Sequence, residues 1–131
     1  MTSRKTIPRP TDAELEILKI LWERGPSTVR DVHAASQSRK SSGYTTTLRV
    51  MQIMAGKGLL VRDENERAHV YAPAVDRENV QHEIVARLID RVFGGSAENL
   101  LVRALGARPA SKKELARMRQ MLDEHEKRQK R

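Results

Sequence analysis

Apolar residues recur along most of this chain at helical spacing and give way only briefly to β-branched runs. In "TDAELEILKILWERG", Leu15, Leu18, Leu21 and Trp22 fall on one face, Thr11 and Glu14 form a capping box, and Gly25-Pro26 ends the helix. "PSTVRDVHAASQ" predicts a short helix from near Thr28, with Val29 and Val32 turned inward. A turn over "SRKSSG" leads to a third helix over residues 44–57, stopped by Gly58. Then "LLVRD" and "AHVYA" flank a polar tip, Glu64-Asn65-Glu66, and predict a β-hairpin.

The remainder is helical. Residues 76–93 carry Val80, Ile84, Leu88 and Val92 in one stripe that Gly94-Gly95 interrupt. "AENLLVRAL" follows, with Leu100, Leu101 and Leu105, and then a helix capped by Ser111 and Glu114 that aligns Leu115, Met118 and Leu122. So small a helical appendage cannot bury these stripes alone, so they predict a dimerisation surface. The expected fold is mostly α with a small β-hairpin: a winged helix-turn-helix over residues 1–75, then a helical dimerisation domain over 76–131. Residues 1–10, basic and proline-containing, are expected to form a mobile arm.

The third helix carries the clearest chemistry. Successive residues 100° apart gather Tyr44, Leu48, Met51, Met54 and Ala55 on a core side. The opposite side holds Thr45, Thr46, Arg49 and Ile53, with Gln52 and Gly56 at its edges. Threonine is a mediocre helix former, so three in succession at a helix start call for a reason beyond propensity. Hydroxyls and amides there can meet phosphate, a threonine methyl can pack on a thymine methyl, and Arg49 can grip guanine O6 and N7. Simple helix capping is the plainer reading of the threonines. Thr47, nearer the core, is expected to bond back to a carbonyl one turn earlier. Tyr44 is expected at the core edge with its hydroxyl toward phosphate.

Charge supports a polyanionic partner. The 131 residues carry a formal net charge of +8. Between Val32 and Arg62 lie Arg39, Lys40, Arg49, Lys57 and Arg62 and no acidic residue, the distribution of an electrostatic footprint for DNA. Arg30, near the start of the second helix, belongs to the same basic surface. At the hairpin, Asp63, Glu64 and Glu66 make the tip acidic; Arg67 is expected to touch the DNA backbone and His69 to be structural.

Enzymatic function finds no support. Cysteine is absent, which removes disulfides, thiolate nucleophiles and cysteine metal sites. His33, His69, His82 and His125 form no helical metal pair, and no phosphate loop or nucleophile elbow is present. No metal, cofactor or catalytic residue is expected. No apolar run approaches the roughly 20 residues of a membrane helix, and the N-terminus has no signal-peptide core, so a cytoplasmic protein without membrane insertion is expected. Two other readings fit the charge: an architectural binder of DNA without sequence preference, and a winged helix serving as a protein-interaction module.

The segments "TDAELEILKILWERG", "STVRDVHAA", "SGYTTTLRVMQIMAGKGLLVRDE" and "RAHVYAPAV" together resemble the penicillinase-repressor (BlaI/MecI) family over roughly residues 10–93. The resemblance implies a homodimeric winged-helix transcriptional repressor that binds an inverted-repeat promoter operator in double-stranded DNA. It puts Thr45, Thr46 and Arg49 in the groove and Ser27, Thr28, Ser42 and Tyr44 against the backbone. It further implies a membrane sensor protease as partner and antibiotic resistance as the setting. Cleavage in such repressors falls at an Asn-Phe bond in the dimerisation domain; here "VFGGSAENLLVRAL" has Asn99 followed by Leu100, which makes Asn99-Leu100 the candidate bond. The related copper-responsive (CopY) repressors sense metal through C-terminal cysteines, which this chain lacks.

Overall fold

The computed structural model describes residues 7–36, 42–65 and 67–130. Its elements run α1 (Asp12–Arg24), β1 (Ser27–Thr28), α2 (Val29–Ala35), α3 (Tyr44–Lys57), β2 (Leu60–Asp63), β3 (Val70–Pro73), α4 (Arg77–Arg91), α5 (Ala97–Ala107) and α6 (Lys112–Gln129). The chain divides into two compact units, Met1–Ala86 and Arg87–Arg131.

Helix boundaries in the first unit follow local chemistry. At α1 the box is reciprocal: the Glu14 amide donates to Thr11 Oγ1 at 3.2 Å, and the Thr11 amide donates to Glu14 Oε1 at 2.9 Å. Thr28 caps α2 by accepting from the Asp31 amide at 3.2 Å. Gly58 ends α3 in the left-handed region, φ 89°, a conformation that costs glycine no Cβ clash.

The core gathers Ile17, Leu18 and Leu21 of α1, Val29 and Val32 of α2, Met51 and Met54 of α3, and Leu59, Leu60 and Tyr71 of the strands. The centre of the α1 stripe is therefore Ile17, Leu18 and Leu21; Leu15, expected on the core face, is only half-buried. Trp22 flanks the core, where its indole N–H donates to the Val75 carbonyl at 3.0 Å and the Arg77 guanidinium lies 5.5 Å from its ring centroid. Val80 of α4 is also buried, at 1% exposure. The first unit thus runs on to Ala86, past the 1–75 span read from the sequence.

The sheet has three strands in the order β1-β3-β2, all antiparallel, where the sequence predicts only a hairpin. Ser27 pairs with Tyr71 and Thr28 with Val70; on the other side of β3, Leu60 pairs with Pro73 and Asp63 with Val70. A two-residue strand has no periodicity to read.

In the second unit, Gly94 and Gly95, φ 58° and 85°, make the turn before α5. Ser96 and Ser111 cap α5 and α6 by accepting from the amides of Asn99 and Glu114. None of the described residues from 87 onward is fully buried.

Candidate nucleic-acid interface

Helix α3 is held at both ends by polar contacts from other helices. At its first turn, Thr47 is 8% exposed and its hydroxyl lies 2.9 Å from His33 Nδ1 on α2, donating when that nitrogen is bare and accepting when it is protonated. This corrects the expected bond to a carbonyl one turn earlier: the side chain faces α2, whose imidazole is within reach. At the last residue, Lys57 Nζ donates to both oxygens of the Glu14 carboxylate, at 2.8 and 3.0 Å. Glu14 is 3% exposed. Burial pushes its pKa up, but hydrogen bonds from Lys57 and the Thr11 amide, with the charge of Lys57, outweigh that and hold it below the ordinary 4.5. Between these anchors Met51 and Met54, both 0% exposed, fix the helix's rotation.

That rotation leaves Thr45, Thr46, Arg49, Gln52 and Ile53 exposed on one face with no acidic residue on the helix. The N-cap is Gly43, and no side chain caps the helix. The simple-capping reading of the threonines therefore has no hydrogen bond behind it. Uncapped amides and an acid-free first turn leave the positive end of the helix dipole available to an anion.

Tyr44, on the core side by helical spacing and expected at its edge, is 44% exposed at the first residue of α3. Its ring meets His33 edge-on, with centroids 6.2 Å apart and planes at 70°. Thr28 is half-buried, and its hydroxyl oxygen accepts as the cap of α2. Ser27 is corrected: it is 5% exposed, on the edge strand β1, and its hydroxyl donates to the Gly25 carbonyl at 2.9 Å, so it is buried and its proton is committed within the chain. Arg30 is exposed and Ser42 half-buried. Arg39, Lys40 and Glu66 lie outside the described residues.

At the wing, a hydrogen bond with the Tyr71 side chain and the charge of Glu64 raise the pKa of Arg62. Its Nη2 is 3.4 Å from Glu64 Oε2. The Asn65 amide donates to Asp63 Oδ1 at 2.9 Å, an Asx turn that shapes the tip. His69 Nε2 stands 4.0 Å from Glu64 Oε1. Arg62 is therefore tied back into the hairpin, and Arg67 is left exposed.

The residues read as a dimerisation stripe divide. Val80 is corrected: fully buried, it has no surface for a second chain. Ile84, Leu88, Val92, Leu101 and Leu122 are exposed, and Leu100, Leu105, Leu115 and Met118 are half-buried. Val85, Val102 and Met121, which the stripes passed over, are exposed as well. Asn99 lies in the first turn of α5. Among the described residues no cluster of His, Asp and Glu suits a metal ion, and no helix is long and apolar enough to cross a membrane.

Sequence reading missed both anchors of α3. Their partners lie 43 residues apart for Glu14 and Lys57 and 14 apart for His33 and Thr47, with no local pattern linking them.

The sequence profile described as penicillinase repressor matches residues 10–124. A transcriptional regulator BlaI of Mycobacterium tuberculosis is 39% identical over 84 residues, 63% of this chain and 58% of that protein, so the chain spans less than two thirds of that relative's length. The penicillinase repressor of Bacillus licheniformis is 27% identical over 127 residues, 96% of this chain and 98% of its own. The solution structure of monomeric Bacillus licheniformis BlaI in complex with the blaP half-operator aligns with a TM-score of 0.48 at 28% identity, covering 58% of this chain and 93% of that one. With the profile match running through both compact units, the chain belongs to the penicillinase repressor family.

Proposed function

We propose that this protein is a DNA-binding transcriptional repressor that acts as a homodimer, laying α3 in the major groove once per half-site. The observation that carries the reading is the outward face of α3: exposed, acid-free and uncapped, on a helix whose orientation Glu14 and His33 fix from either end. Thr45 and Thr46 approach phosphates and base edges, Arg49 reads a guanine, and Gln52 lies at the edge of the contact. Arg30, Arg39, Lys40 and Arg67 add phosphate contacts, with Thr28, Ser42 and Tyr44 beside the backbone.

The winged module, read from the sequence as residues 1–75 and continuing as a compact unit to Ala86, reads DNA, and exposed faces of the helices within 76–131 join two chains. The exposed Ile84, Leu88 and Val92 on α4, Leu101 and Val102 on α5, and Met121 and Leu122 on α6 supply apolar surface for that contact. Two-fold symmetry sets half-sites about 34 Å apart, or a multiple of that, which corresponds to an inverted repeat. Occluding a promoter needs no catalysis. Relief by proteolysis at Asn99-Leu100, by a membrane sensor protease, requires the first turn of α5 to unwind before the bond can enter a protease cleft.

The test is selection of duplex fragments from genomic DNA by the full chain at physiological salt, followed by sequencing. An enriched inverted repeat upstream of genes is the expected result. Retention of DNA with no shared motif would sink the repressor reading in favour of an architectural binder.

A further inference from the structure

The outward face of α3 continues past the residues assigned above. Ile53 is 46% exposed, and no acidic side chain lies on the helix. At 100° per residue it stands about 20° from Thr46 and about 40° from Arg49, close to the middle of the DNA-facing strip. Solitary exposed aliphatics are common on proteins; this one's position gives it meaning. One turn further on the same strip is Gly56. A Cβ there would meet nothing within 4 Å, so no neighbour in the chain excludes a side chain. A glycine inside a helix is a net cost relative to alanine. Internal packing therefore does not account for Gly56, which leaves the strip without a side chain at this point.

Along the helix the strip reads hydroxyl, guanidinium, aliphatic, gap: Thr46, Arg49, Ile53, Gly56. Against a duplex, the aliphatic member has one apolar counterpart in the major groove, the C5-methyl of thymine. We propose that Ile53 is a specificity-determining residue that packs on a thymine methyl in each half-site. This rests on the DNA-binding reading above. Four residues of helix rise separate Ile53 from Arg49, about 6 Å, which puts that thymine about two base-pair steps from the base Arg49 reads. One aliphatic side chain between a cation and a glycine offers too little apolar area for a protein partner, and the basic residues of this region favour a polyanion.

Replacing thymine by uracil removes the methyl group and leaves the hydrogen-bonding pattern intact. The experiment measures binding of the full chain to its selected operator with uracil placed, one position at a time, symmetrically in both half-sites. Wild type is expected to lose about fourfold in affinity per half-site at one position, the loss from one buried methyl. Ile53→Ala is expected to bind the thymine and uracil operators equally, and Ile53→Val to keep most of the preference. Circular dichroism of the free variants checks the fold, which an exposed position should not disturb. Uracil tolerance of wild type at every position, or undiminished uracil sensitivity of Ile53→Ala, would overturn the proposal while leaving the repressor reading intact. Selection yielding no motif would overturn both.

Discussion

Lys57→Met tests how α3 is anchored. The substitution keeps the aliphatic stem and removes the ammonium that bonds both oxygens of Glu14 at 2.8 and 3.0 Å. The carboxylate, with its side chain 5% exposed, then keeps its contacts with Thr11, whose amide donates to it at 2.9 Å. Stripping the partner from a fully buried ion pair costs about 3–5 kcal/mol. Here the Lys57 side chain is 37% exposed, so water screens one side of the pair. The expected destabilisation is therefore smaller, about 1.5–3 kcal/mol. Glu14→Gln keeps an acceptor for the Thr11 amide and leaves a lysine that can rehydrate, so it should cost only about 1 kcal/mol. The double variant should fall short of the sum, because the second change removes a group already without its partner.

The pH dependence sharpens the test. Glu14 titrates below its ordinary 4.5 in the folded protein. A depressed carboxylate contributes stability that is present above the unfolded value and lost as pH falls through the folded one. Without Lys57, burial dominates and protonation relieves the isolated charge. The gap between wild type and Lys57→Met should therefore be widest near neutral pH and close as pH falls below about 4.5. Urea unfolding followed through Trp22, the only tryptophan, reports on the unit that contains the pair. A gap that stays constant between neutral pH and strongly acid conditions would refute the anchoring argument.

Arg49→Ala should weaken specific operator binding by about 1–3 kcal/mol and relax preference at one base pair, with thermal stability unchanged; an unaltered selected motif would remove Arg49 from base reading. His33→Leu leaves the buried Thr47 hydroxyl without its partner and should cost about 1–2 kcal/mol in urea unfolding; Thr47→Val in that background should recover much of the loss, since both polar groups are then gone. Gly56→Ala should stabilise the free protein by about 0.5–1 kcal/mol and weaken operator binding, and a lowered melting temperature would contradict the open space at that position. A chain ending at Ala86 keeps the Trp22–Val75 hydrogen bond and should sediment as a monomer with much weaker operator binding; a dimer of that fragment would relocate the interface.

What the sequence by itself determined is what depends on neighbours within a few residues. The Thr11–Glu14 box, the Thr28 cap and the left-handed Gly58 mark ends of α1, α2 and α3, because each answers a helix terminus with a group one turn away. The 3.6-residue period turned Met51 and Met54 inward and Arg49 outward, so the outward strip of α3 was legible before any packing was known. Tertiary structure decided the rest. Leu15 yielded the core to Ile17, and Ser27 became the first residue of a two-residue strand, buried and paired with Tyr71. Val80 was drawn out of the apolar stripe into full burial. Glu14 acquired a second task at Lys57, and Thr47 found an imidazole instead of a carbonyl. These outcomes turn on which side chains meet after helices and strands pack across distances along the chain that no local pattern spans, and burial then raises the cost of leaving any polar member of the meeting unpaired.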